Sequence, residues 1–305
     1  MRVVSLLPAA TEIVAALGAL PTLVGISHEC DFPPEVAQLP RLTASLVNRD
    51  DTSAGIDAAV RALAATGAPV FALDADQLRR LAPTLVITQA LCEVCALSAG
   101  AVCALTDVVT PSPRVLQLSG TTLDGVQEDI IAVGAALERD AAAAELLAAI
   151  SARLRAVHET LKAARAPRPR VAVIEWLDPL FFAGHWTPDL VRRAGGIDVL
   201  ASPGAHSTTI TADQVRDAQP ELLLFAPCGF DAERAEREAR ALLGTDAWRW
   251  ARGLRCWALD GNALTSRPGP RLADAVEVMA AIVAPALFRP PDATYARPLA
   301  EPDLH

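Results

Sequence analysis

The chain reads as an α/β protein of two Rossmann-like lobes with parallel sheets, joined by a long spine helix, with a ligand cleft between the lobes. Three observations predict this. Short apolar runs alternate with helical patterns in both halves of the 305 residues, the signature of strands covered on both faces. Residues 122–165 hold no proline and keep a helical period. The halves also echo each other: Asp76-Gln77, a short helix, Pro83 and a strand recur as Asp213-Gln214, a short helix, Pro220 and a strand.

Residues 2–6 read as the first strand, and 8–17 as a helix closed by Gly18. Strand 23–26 follows, then a helix over 56–65 stopped by Gly67, a strand at 70–73, a short helix at 76–81 and a strand at 85–88. The middle segment is rich in strong helix formers. Its apolar positions Ile130, Val133, Ala136, Leu137, Leu146, Leu147, Ile150, Leu154 and Val157 predict one long helix or two nearly continuous ones. At about 1.5 Å per residue such a spine reaches roughly 60 Å. Beyond Pro167 the alternation resumes. Strands are expected at 171–175, 222–226 and 256–259, and helices at 188–193, 213–218, 231–243 and 272–286. Four prolines after Arg289 suggest a loose tail. The expected boundaries are 1–120 for the first lobe, 121–166 for the spine, 167–290 for the second lobe and 291–305 for the tail.

A net charge of −9 with no Lys/Arg block argues against a nucleic-acid binder. No apolar span approaches the roughly 20 residues a membrane helix needs, and Pro8 interrupts the N-terminal run before it resembles a signal. The expectation is a cytoplasmic chain that is not membrane-embedded, periplasmic only if the true start lies upstream. Six cysteines in such a compartment point to metal ligation, redox chemistry or burial rather than a disulfide framework. Burial suits Cys103 and Cys256, which fall within apolar patterns.

Two motifs sit where strands should end, the place where open parallel sheets gather ligands. They are Ser27-His28-Glu29-Cys30 and Cys92-Glu93-Val94-Cys95. His28, Cys30, Cys92 and Cys95 form a plausible Cys₃His set for zinc or an iron–sulfur cluster. Unligated thiols and a redox pair fit the same residues. Cys228 ends another strand in the second half. The loop from Glu175 to Trp186 carries two tryptophans, two phenylalanines, His185 and two carboxylates. Aromatic faces suit a flat macrocycle, and Glu175, Asp178 and His185 could bond its amides, while His185 could instead ligate metal. The bland alternative makes Trp176 and Phe181 core anchors and His185 a helix cap. No G-x-S-x-G elbow, P-loop or G-x-G-x-x-G occurs, so a binding protein is expected over an enzyme.

Ser5-Leu6-Leu7-Pro8-Ala9-Ala10-Thr11-Glu12, Val24 to Ser27 with Asp31-Phe32-Pro33, residues 81–87, the spine and Gly195-Gly196 together resemble substrate-binding proteins of the helix-spine class that serve ABC importers. The likeness spans residues 1–288 and is greatest to the cobalamin-binding members. It implies rigid lobes, a corrinoid such as cobalamin held in the cleft, and a lobe-tip carboxylate on each side docking on permease arginines. Those tips match Asp76 and Asp213, where importers usually have Glu; helix capping competes with docking for both. It also implies a ligand-contacting loop at 260–271, in which Arg267 could meet a phosphate or carboxylate. Two departures stand out: no export signal is visible, and the cysteines are foreign to the usual importer. Three readings follow. The lead is a corrinoid binder with thiols near the cobalt. The second is a zinc or iron–sulfur protein on His28, Cys30, Cys92 and Cys95, an enzyme or redox sensor. The third is an importer component for haem, siderophore or metal.

Overall fold

The computed structural model describes residues 1–89 and 109–299. Cys92, Cys95 and Cys103 lie outside them. The chain divides into two compact units, residues 1–120 with 124–149, and residues 121–123 with 150 onward.

The first unit is built on a four-stranded, fully parallel sheet of order β2-β1-β5-β6. Its strands are β1 (Val3–Ser5), β2 (Leu23–Ile26), β5 (Leu85–Gln89) and β6 (Arg114–Leu118). Val4, Leu6, Val86, Leu42 and Leu78 pack one face of this core. Helix α1 (Pro8–Ala16) starts on Pro8, whose missing N–H costs nothing there, and buries the stretch from Ala9 to Val14. Gly25 leaves room for neighbouring side chains: a Cβ there would meet the Leu42 and Leu81 Cδ1 atoms at 2.6 and 2.8 Å, so those leucines would have to shift. The run expected as a third sheet strand does not join this sheet. As β4 (Phe71–Leu73) it pairs antiparallel with β3 (Thr43–Ser45) in a separate ribbon. Helix α2 (Ser53–Thr66) connects the two strands of that ribbon, and α3 (Ala75–Leu81) follows β4.

The spine is two helices, α4 (Leu123–Ala136) and α5 (Asp140–Ala163). Glu138 adopts a left-handed φ of 57°, and Arg139 N–H donates to Gly134 O at 2.8 Å, closing α4 as a Schellman-type end. This is the two-helix alternative; the longer helix is about 36 Å, and its residues pass from the first unit into the second.

The second unit holds a sheet of order β12-β11-β10-β7-β8, with β9 also on β7. Strands β7 (Arg170–Leu177), β10 (Leu222–Phe225) and β11 (Arg255–Leu259) run parallel, and β9 (Ile197–Asp198) is parallel to β7. Every residue of β10 is buried, as a central parallel strand requires. β8 (Leu180–Phe182) folds back on β7. Helices α6 (Thr187–Arg193), α7 (Ala212–Asp217), α8 (Ala232–Leu243), α9 (Gly261–Leu264) and α10 (Leu272–Val283) complete the unit. The segment expected to be a loose tail is instead structured through Leu299. β12 (Ala296–Pro298) pairs antiparallel with β11 and Leu299 is buried. An edge strand tolerates the proline that suggested looseness. No helix among the described residues is long and apolar enough to cross a membrane.

Candidate ligand site

In the first unit, β2 delivers the chain to a tight turn in which Cys30 N–H donates to Ser27 O at 3.2 Å. Thr43, on β3, anchors the turn. Its Oγ1 accepts from His28 N–H at 2.9 Å, lies 2.6 Å from His28 Nδ1 and donates to Ser27 Oγ at 3.3 Å. That donation leaves Nδ1–H to donate to Thr43, so Nε2 is the bare ring nitrogen. Nε2 is buried without a hydrogen-bond partner among the described residues, 4.0 Å from Glu29 Oε1. Burial first, then Arg49 and Arg41, push the His28 pKa down to about 4. The imidazole is therefore neutral at pH 7, and its approach to Glu29 is not an ion pair there. Glu29 pairs with Arg49 at 3.1 Å instead.

Cys30 points elsewhere. It is fully buried with Ile26 and Val36, its Sγ 3.1 Å from Thr11 Oγ1. Thr11 in turn donates to Ser5 Oγ at 2.8 Å. His28 and Cys30, two residues apart, thus engage different parts of the unit. The expected partners Cys92 and Cys95 lie outside the described residues. Among the described residues, no group of three or more His, Cys, Asp or Glu side chains could hold a metal ion.

The second unit gathers more at its carboxyl edge. β7, β10 and β11 end side by side, with Ile174 opposite Phe225 and Phe225 opposite Ala258. The loops beyond them are laced by backbone bonds: Ala226 N–H to Ile174 O at 2.8 Å, Cys228 N–H to Glu175 O at 3.1 Å, and Asn262 N–H to Phe230 O at 3.1 Å. A register shift between Ile174 and Trp176 re-aims the end of β7. The Trp176 ring then lies 5.4 Å from that of Phe230, over which the Arg234 guanidinium sits 3.6 Å from the centroid. Cys228 is half-buried beside them in sequence, before Gly229 at φ 76°. Gly261 lets α9 abut the end of β10, since a Cβ there would lie 2.2 Å from Pro227 O. Asp260 caps α9 through Ala263 N–H at 2.7 Å, and burial raises its pKa.

Arg267 is not the surface charge its turn context suggests. It is 3% exposed and donates to Asn262 Oδ1 at 2.8 Å, so it stiffens the edge from within. Trp186 is likewise a packing residue, buried with Nε1–H donating to Thr265 O at 2.8 Å. Cys256 is buried, and its thiol is pushed up to about 11.

His185 takes a left-handed φ of 53°. Its ring lies 5.6 Å from Trp186 and 5.3 Å edge-on from His206. Burial, with His206 adding, lowers its pKa. Gly184 makes the approach feasible, as a Cβ would stand 2.3 Å from Ala205 O. Sequence reading missed His206. It lies 21 positions from His185, and the two loops are joined by the bridge between Phe181 and Thr209 and by backbone bonds such as His185 N–H to Ala205 O at 2.6 Å and Gly204 N–H to His185 O at 2.9 Å.

Among the described residues, Asp76 and Asp213 accept no capping hydrogen bond. Asp74 and Thr211 are the N-caps, accepting from Gln77 and Gln214 N–H groups, and Thr211 forms a full capping box. The two aspartates sit in the first turns, 75% and 73% exposed, paired with Arg79 and with Arg216.

An α/β chain of two units with ligand-type loops at the carboxyl ends of parallel strands has the make-up of a small-molecule binding protein. A family model described as periplasmic binding protein matches residues 3–250, and the chain belongs to that family. Its fold is that of the class III substrate-binding proteins of ABC importers. No curated protein matches the chain. Among solved structures, it is similar to a periplasmic haem-binding protein from Pseudomonas aeruginosa, with a TM-score of 0.73, 21% identity and 97% of each chain covered. It is also similar to an ABC transporter substrate-binding protein from Listeria monocytogenes, with a TM-score of 0.67 and 19% identity over 93% of this chain and 98% of that one. A third is the periplasmic vitamin B12 binding protein BtuF of Vibrio cholerae, with a TM-score of 0.63 and 21% identity over 93% of this chain and 97% of that one.

Proposed function

We propose that the protein binds cobalamin or a related corrinoid and delivers it to an ABC permease. The observation that carries the reading is the carboxyl edge of the second unit, where Trp176 and Phe230 meet at 5.4 Å beside Cys228 and Asn262. The half-buried Trp176 indole suits a macrocycle, backed by Phe230, which is buried under the Arg234 guanidinium, and Asn262, Glu175 and the loop amides suit the macrocycle's amide side chains. The vitamin B12 binding neighbour supports the ligand class at the level of fold. Titration with cyanocobalamin, followed by absorbance or heat, is expected to give a Kd near or below about 1 μM. Trp176→Ala is expected to weaken it at least about tenfold, a loss of about 1.4 kcal/mol. An absence of binding at several hundred micromolar, on the order of 0.5 mM, would remove the corrinoid.

A second reading is favoured by the His185–His206 pair, whose imidazoles are suited to a haem iron; the similar Pseudomonas aeruginosa protein is a periplasmic haem-binding protein. A hemin titration that gives a sharp Soret shift, lost in a His185→Ala/His206→Ala variant, would favour haem over cobalamin.

For the permease, the exposed Asp76 and Asp213 are the proposed docking carboxylates. Each is already shared with an arginine one turn on, so docking would exchange partners rather than fill a vacant charge. Asp76→Lys/Asp213→Lys is expected to leave ligand affinity unchanged and to abolish stimulation of the permease ATPase. Retained stimulation would return both residues to simple helix-terminus electrostatics.

A further inference from the structure

Away from the ligand edge, the second unit carries a basic cavity that the reading above does not use. It measures about 420 Å³, within the range of small-molecule sites. Lys162, Arg165, Arg168, Arg192 and Arg193 line it, with Leu161 and Gly195 among the other walls. All belong to the second unit. Arg168 precedes β7 and Gly195 precedes β9, so the cavity lies at the amino edge of the sheet, opposite Trp176 and Asn262.

Five cations in one cavity are unexpected on a chain with a net charge of −9. Helix ends offer an ordinary explanation, because α5 and α6 both terminate here and cations suit C-termini. The geometry does not support it as sufficient. Both ends are closed by the backbone: Ala166 N–H donates to Leu161 O at 3.0 Å, and Gly196 N–H to Val191 O at 2.9 Å. Two carboxylates answer the cations, Glu159 at 4.0 Å from Lys162 and Asp189 on Arg192. Arg168 spends one nitrogen on Gly196 O at 3.0 Å. Arg165 and Arg193 make no side-chain hydrogen bond or ion pair among the described residues. Arg165 moreover holds the left-handed position, φ 50°, where glycine is the default. The sequence keeps a guanidinium there against its backbone preference.

We infer that this cavity binds a small, multiply charged phosphate-bearing anion, with Arg165 and Arg193 supplying bidentate contacts. The inference stands apart from the corrinoid reading. Its test is calorimetric titration of the full chain with pyrophosphate, at about 50 mM and about 500 mM salt. The comparison is Arg165→Gly/Arg193→Gln, in which glycine suits the left-handed position, so folding is not put at risk there. The expected result is binding that weakens with salt and falls at least about tenfold in the variant. Equal binding by both proteins would overturn the site, as would none up to about 10 mM pyrophosphate. Sedimentation with phosphatidylglycerol vesicles without pyrophosphate binding would mark a flat electrostatic surface and overturn it equally.

Discussion

Thr43 and Thr11 decide what the Ser27–Cys30 turn can do. Thr43 fixes the tautomer of His28, and Thr11 holds the thiol of Cys30 in the core. Thr11→Val removes one buried hydrogen-bond contact each from Ser5 and Cys30 and is expected to cost about 1–2 kcal/mol in urea unfolding. No measurable loss would show that the sulfur contact carries no weight. His28 makes a pH prediction. Its folded pKa of about 4 lies below the ordinary 6.5. Between those values the unfolded chain binds a proton that the folded chain refuses, so stability is full above pH 6.5 and declines as pH falls toward 4. The contribution is at most about 3 kcal/mol. Unfolding titrations between those two pH limits are expected to show a shallower slope for His28→Gln than for the parent; parallel slopes would contradict the burial of Nε2. The motif was legible from its place after an apolar run. The opposite engagements of His28 and Cys30 were not, because a strand end fixes position and not which way a turn aims its side chains.

At the scale of elements, the parallel strands and most helices were readable because each is a short apolar run or period between glycine and proline stops. Three features were not. The break at Glu138 lies in a run without glycine or proline at the turn itself, and it rests on a left-handed glutamate. The β3–β4 ribbon was hidden because Thr43–Ser45 is a three-residue strand with no apolar pattern. The edge strand β12 sits among prolines. Glycine contacts carry the element-level prediction. Gly261→Ala drives a Cβ against Pro227 O, 2.2 Å away, and must move α9 from the end of β10. A loss of about 1–3 kcal/mol is expected, together with weaker ligand binding as Asn262 and Arg267 shift. A variant with parental melting temperature and affinity would show that α9 is not what positions the edge.

On the scale of the molecule, the second unit assigns its two sheet edges different work. The carboxyl edge carries Trp176, Phe230 and the amide of Asn262; the amino edge carries the five-cation cavity. The family was legible in the N-terminal motif and the repeated Asp-Gln, helix, proline, strand layout, since both reflect how a strand hands over to the next element. The ligand is less legible, because its recognition depends on loops joined only in the fold, as Trp176 with Phe230 and His185 with His206 show. Hydrogen exchange of the full chain with and without saturating cyanocobalamin tests the central claim most directly. Protection is expected at residues 175–177, 228–230 and 261–267, with none around Arg165 and Arg193. Protection confined to other parts of the chain, or none at saturation, would contradict a corrinoid seated on the carboxyl edge of the second unit.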